Sequence, residues 1–178
     1  DAALDGGAFI PLSMPVYTAQ DINAFQSKSS GQIIADILNI FFSAKLTSWD
    51  VDFAIGRTPL KLHAMTHRIV VAELWHNPQG LFDSILSNLY TRLKAGRQDG
   101  SEPTEWARIT IRIAVLFAVY SQMLSDGVLN PGDKLDIAVC MNDFTSVTGA
   151  WYARYMGLPI GTIVCSSDNM DCMWEMIH

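Results

Sequence analysis

"LDIAVCMNDFTSVTGAWYARYMGLPIGTIVCSSDNMD" (Leu135–Asp171) is the stretch on which the reading of the fold turns. Leu135–Met141 is apolar and β-branched enough for a buried strand, and Thr162–Ser166 repeats that character. Between them Ser146–Met156 has helical spacing, and Gly157 and Pro159 punctuate the return. Strand, helix and strand in that order make a βαβ unit with a parallel pair. The expectation is an α/β protein, a compact single domain over residues 1–178 with a small, mostly parallel sheet flanked by helices.

Working outward, a long segment from about Thr104 to Ser125 is apolar around most of its circumference, which requires a largely buried helix. DGVLNPGDK after it is a turn cluster, and AGRQDGSEP (Ala95–Pro103) before it is the clearest linker. Upstream, TPLKLHAM and HRIVVAELW are short strand candidates separated by a turn. The second runs into a loop with Pro78 and Gly80, then a helix on which Phe82, Ile85, Leu86, Leu89, Tyr90 and Leu93 recur at helical spacing. Nearer the start, Ser30 is a candidate cap for a helix carrying Ile33, Ile34, Ile37, Leu38, Phe41 and Phe42, with a polar break over Ser43–Asp52 behind it. Thr18–Phe25 is a short helix with Thr18 as N-cap and Asp21 three residues on, an imperfect capping box. Two glycines and two prolines make DGGAFIPLSMP an extended opening.

Composition bounds the function. With 49% hydrophobic and 17% charged residues the chain has the make-up of a globular protein with a large core. A net charge of −6, with 12 scattered Lys and Arg, speaks against nucleic acid as a partner. Cys140, Cys165 and Cys172 form no CxxC pair, so neither a disulfide framework nor a zinc knuckle is expected. A cytoplasmic location is the simpler expectation. DAALDGGAF lacks the basic and apolar regions of a signal peptide. Ile109–Leu124 contains Arg112, Ser121 and Gln122 and reads as too short to span a bilayer, so no membrane partner is expected.

Four collinear stretches resemble the threonine synthase family. LDGGAFIP resembles its PDGGLYVP, and TPLKL followed by VAELWHNPQGLFDSIL resembles its TPL and ELFHGPTLAFKD region. EWARI resembles NWARI, and YMGLPIGTIV is similar to the family's entry into a late strand. The resemblance implies the outer lobe of a two-lobed pyridoxal-phosphate enzyme, with 1–50 as the family's N-terminal segment and 51–178 as the α/β remainder. It also implies losses. Asp83 stands where the family carries its Schiff-base lysine, and an aspartate forms no imine. CMNDFT replaces the phosphate loop PTGNFG, placing Asn142 and Thr145 at glycine positions, while Asp143 adds a negative charge. The linker at 95–103 stands where the family inserts its inner lobe. No cofactor is therefore expected, and pyridoxal phosphate is expected to be lost.

The candidate catalytic residues are His76, Asp83 and Glu73, grouped at the strand-to-helix turn as an acid/base cluster. The plainer alternative has His76 capping the strand end and Asp83 the helix N-terminus. Asn142, Asp143, Thr145 and Ser146 are the candidate ligand-binding residues before a helix, or else N-caps, with Thr145 or Ser146 as the cap. His63 and His67 are spaced by four on an extended segment, which is no metal face. Trp106, Trp151, Tyr152 and Tyr155 read as packing, while Met170, Met173 and Met176 fit a partner or an irregular gap equally well.

The function expected is that of a threonine-synthase-like protein without pyridoxal-phosphate catalysis. It would bind a small organic molecule or act as a cofactor-independent lyase, isomerase or cyclase. The alternatives are a non-catalytic assembly relic and a fragment of an active threonine synthase, a phosphohomoserine lyase. A homodimer is expected, because loss of a lobe would uncover the helices at Phe82–Leu93 and Thr104–Leu124.

Overall fold

The structure, a computed structural model, describes residues 11–42, 44–55, 60–73, 85, 87, 91, 105–140 and 144–166. The linker at 95–103 and the methionines of the tail lie outside the described residues. The elements run α1 (Ala19–Ala24), a 3-10 turn (Phe25–Ser27), α2 (Ser30–Phe41), α3 (Ser48–Ala54), β1 (Lys61–Ala64) and β2 (Val70–Glu73). They continue with α4 (Glu105–Ser125), β3 (Leu135–Cys140), α5 (Phe144–Tyr155) and β4 (Ile160–Ser166). Ile85, Ser87 and Thr91 are helical, Ile85 is buried, and the Thr91 hydroxyl donates to the Ser87 carbonyl at 2.8 Å.

Local chemistry accounts for the first helices. Thr18 caps α1 and the Asp21 carboxylate returns to the Thr18 N–H at 2.8 Å, so the capping box is complete. Ser29, not Ser30, caps α2, with Gln32 closing its box. The second half of the polar break over Ser43–Asp52 opens a third helix, α3, boxed by Thr47 and Asp50. Short helices need such ends, because a single turn fixes several residues for few hydrogen bonds.

Helix α4 is the core. Ala107, Ile111, Ile113 and Ala114 are fully buried, as are Phe117, Ala118 and Tyr120 to within 1%. It packs against α2 on one side and α5 on another. By length and composition Trp106–Ser125 is long enough to cross a bilayer, which corrects the reading of its length; 72% of its apolar window is buried inside the protein. That burial is how a core helix satisfies the same apolar composition. Only Arg108 on the stretch from Trp106 to Leu124 is exposed, so this helix is not an uncovered face awaiting a second copy.

The βαβ unit is present, with β3 and β4 parallel and Val139 paired to Cys165. A single mostly parallel sheet is not. Among the described residues the strands form two separate two-stranded sheets, and β1 pairs with β2 antiparallel. The physical reason is the connection: the turn at 65–69, closed by Met65 N–H to the Ile69 carbonyl at 2.8 Å, is far too short for a parallel crossover.

The end of α5 shows why YMGLPIG has that order. Leu158 N–H reaches the Ala153 carbonyl and Gly157 N–H the Arg154 carbonyl, both at 3.0 Å, a Schellman ending. Gly157 sits at φ +102 and lies against the Tyr17 carbonyl, where a Cβ would collide. Tyr17 N–H in turn donates to the Met156 carbonyl at 2.8 Å, tying the N-terminal strap to this turn.

Candidate functional site

Two places on the described chain carry polar chemistry. The first is the start of α5. Thr145 is the second residue of that helix and is buried, and its hydroxyl accepts from Arg112 Nε at 2.6 Å. Arg112 comes from α4 and is half-buried, and Gly149 makes the approach possible. A Cβ on Gly149 would lie 2.9 Å from Arg112 Cβ, closer than side chains tolerate. The bare glycine thus lets α4 and α5 meet closely enough for the guanidinium to reach the first turn of α5.

The first turn of a helix exposes free N–H groups and a partial positive charge. Arg112 adds a full positive charge at the same corner. A carboxylate, phosphate or polarised carbonyl is the group whose charge fits there. Because the helix begins at Phe144, Thr145 and Ser146 lie inside its first turn and neither is the cap. Asn142 and Asp143 lie outside the described residues.

The second place is the β1–β2 hairpin. Glu73 closes β2, and its carboxylate meets His63 Nε2 of β1 at 2.8 Å. The side chains are 56% and 33% exposed, so water screens the pair. Glu73 was expected beside His76 and Asp83; His63 is the partner recorded for it, and His76 and Asp83 lie outside the described residues. His63 is therefore an ion-pair partner. Among the described residues no group of three metal-ligating side chains comes together.

Two other expectations change. Trp151 and Tyr155 are not packing residues: they are 52% and 57% exposed and stack on one another with centroids 5.9 Å apart. Trp106 is buried as expected, held edge-to-face by Phe41 and Tyr152. Its indole N–H finds no acceptor among the described residues.

Sequence reasoning missed Arg112. The signal was available: one arginine on an otherwise apolar helix requires a polar partner wherever that helix is buried.

Comparison with known proteins adds a distant relationship. The chain is similar to threonine synthase-like 1. In Homo sapiens and Pongo abelii that protein is 25% identical to it over 72 residues, and in Mus musculus 28% identical over 72 residues. The match covers 40% of this chain and spans only 10% of the length of those relatives. No family model matches the chain, and no solved structure does. The similarity supports a threonine-synthase-like protein, at the level of distant relation.

Proposed function

We propose that this threonine-synthase-like chain binds a small organic anion at the start of α5 and no longer uses pyridoxal phosphate. The observation that carries the reading is the 2.6 Å contact between Arg112 Nε and the buried Thr145 hydroxyl. Charge and helix end add at that corner, and a carboxylate or carbonyl of the ligand would take both.

The residues present do not suit the family's cofactor. In the resemblance Thr145 replaces a glycine of the phosphate loop, and here its side chain is buried and bonded, filling space that a glycine leaves to a phosphate. Asp83 stands in place of the imine-forming lysine. If the site also performs chemistry, His76 is the general base and Asp83 its orienting partner, in a cofactor-independent lyase, isomerase or cyclase reaction.

The test is a thermal-shift and calorimetric screen of small mono- and dicarboxylates and phosphate esters against wild type and Arg112→Met. A ligand that stabilises wild type and loses at least tenfold in affinity with Arg112→Met supports the site, and circular dichroism checks that the variant is folded. Unchanged affinity in the folded variant removes Arg112 from the site and the reading with it.

A second reading, a non-catalytic assembly module that pairs with a second copy, is favoured by the exposed stack of Trp151 and Tyr155. It replaces the uncovered α4 face as the basis for a homodimer. Sedimentation of wild type against Trp151→Ser separates this reading from a monomeric binder.

A further inference from the structure

Strand β1 has two unlike faces and, among the described residues, one edge that pairs with no strand. Lys61 and His63 lie on one side and are exposed; Leu62 and Ala64 lie on the other, with Leu62 packed against the core and Ala64 exposed. Arg68 adds a further exposed cation at the turn. Among the described residues neither Lys61 nor Arg68 forms an ion pair, and the carboxylate of Glu73 is bonded to His63. Lys61 and Arg68 are the cations of this strip, and the Glu73 carboxylate, opposite Lys61 in the hairpin register, lies on the same face against His63. Among the described residues β1 is hydrogen-bonded only to β2, which leaves the backbone groups of its other edge available to a strand.

We propose that the free edge of β1 is a docking site for an extended acidic segment of another protein, one in which carboxylate and apolar side chains alternate. The match follows from the two-residue period of a strand. A segment added beside β1 would place every second side chain next to Lys61 and His63, and the residues between them next to Leu62 and Ala64. Carboxylates suit the first set and small apolar groups the second, while main-chain hydrogen bonds supply the common affinity of strand addition. A two-stranded hairpin is marginal in isolation, so a third strand also completes the element. An anionic bilayer is the poorer fit. Clusters of about four to eight Lys or Arg hold proteins on such surfaces, and this hairpin carries Lys61 and Arg68.

The experiment uses a fluorescein-labelled eight-residue peptide of alternating Asp and Val, and a twin with Lys in place of Asp. Both are titrated by anisotropy into the full chain at low and high salt. The acidic peptide is expected to bind with micromolar affinity that falls as salt rises, and the Lys twin at least tenfold more weakly. Lys61→Glu combined with Arg68→Glu, both exposed positions, should reverse that preference with the circular dichroism unchanged. Equal binding of the two peptides, or none, overturns the proposal, and the salt titration of wild type decides the matter even for a poorly folded variant. Binding to phosphatidylserine vesicles that the acidic peptide does not displace assigns the strip to a membrane and overturns it. So does self-association abolished by the charge reversal, which assigns the edge to a second copy.

Discussion

Replacing Gly157 by alanine tests the joint between the N-terminal strap and the βαβ unit. Two costs add. A residue with a Cβ at φ +102 leaves its allowed region, at about 1–2 kcal/mol. The new Cβ also meets the Tyr17 carbonyl, which is backbone and has no rotamer to escape through. The strap must shift, and the 2.8 Å bond from Tyr17 N–H to the Met156 carbonyl weakens with it, for about a further 1 kcal/mol. The sum is roughly 2–3 kcal/mol, or a fall in Tm of roughly 4–12 °C for a domain of this size. Gly127→Ala is the control, because Gly127 has φ +69 but nothing within 4 Å of its added Cβ. It carries the strain without the collision, so the difference between the variants isolates the Tyr17 contact. Urea unfolding followed by circular dichroism gives both numbers. If Gly157→Ala costs no more than Gly127→Ala, the strap does not depend on this contact and the reasoning fails.

Three further outcomes are expected. The Tyr17 hydroxyl is raised from 10.0 to about 12 by burial first, with Asp36 and Asp21 adding. A raised folded value means that stability is intact below pH 10 and is lost as pH climbs from 10 toward 12, so the tyrosinate absorbance of Tyr17 should lag behind that of an exposed tyrosine; ionisation of Tyr17 near pH 10 in the folded chain would contradict its partial burial. Gly31→Ala should destabilise by roughly 1–3 kcal/mol despite alanine's better helix propensity, because the added Cβ meets the Asp52 carboxylate and lies 3.1 Å from the Ser48 carbonyl oxygen; a gain in urea midpoint would show that α2 and α3 part easily. Incubation with pyridoxal phosphate followed by dialysis and borohydride should leave no stoichiometric reduced adduct on any lysine by mass spectrometry, and a specific lysine adduct would restore the cofactor.

What the sequence disclosed and what it hid follow from the range of the interactions involved. The βαβ unit was legible because its period and its Schellman ending are local, within a few residues of Gly157. The glycine's other duty was not, since Tyr17 is distant in sequence and nothing in either neighbourhood announces the contact. The antiparallel β1–β2 pair was misassigned to a mostly parallel sheet although the short turn at 65–69 permits no crossover. The outward turn of Trp151 and Tyr155 was also written in the chain. Thr145, Gly149, Ala150, Ala153 and Met156 form the buried stripe of α5, and mostly small residues there bring α4 close. Trp151 and Tyr155 fall away from that stripe, while Tyr152 stays half-buried against Trp106. Hydrophobicity alone pointed inward, and spacing against the small residues pointed outward.

The same comparison of local and distant partners shifts weight between the two chemistries expected of the chain. Glu73 looked like one member of an acid/base cluster because it is close in sequence to His76. The hairpin register sets it opposite Lys61, and its carboxylate also meets His63 on a screened surface, while His76 and Asp83 lie outside the described residues. At the start of α5 the opposite holds. Thr145 is buried, the guanidinium of Arg112 is half-buried beside it, and the helix end adds to the charge rather than screening it. An arrangement of that kind holds a negative group more strongly than it moves a proton. Binding is therefore the property that the described residues support most directly. If His76 and Asp83 are the acid/base pair proposed above, they act on the ligand that Arg112 anchors. Arg112→Met should then weaken binding in every case, and His76→Ala should lower turnover by about two to four decades while leaving binding intact. Loss of binding in His76→Ala with the fold preserved would place the imidazole in the ligand site as a contact and not as a base.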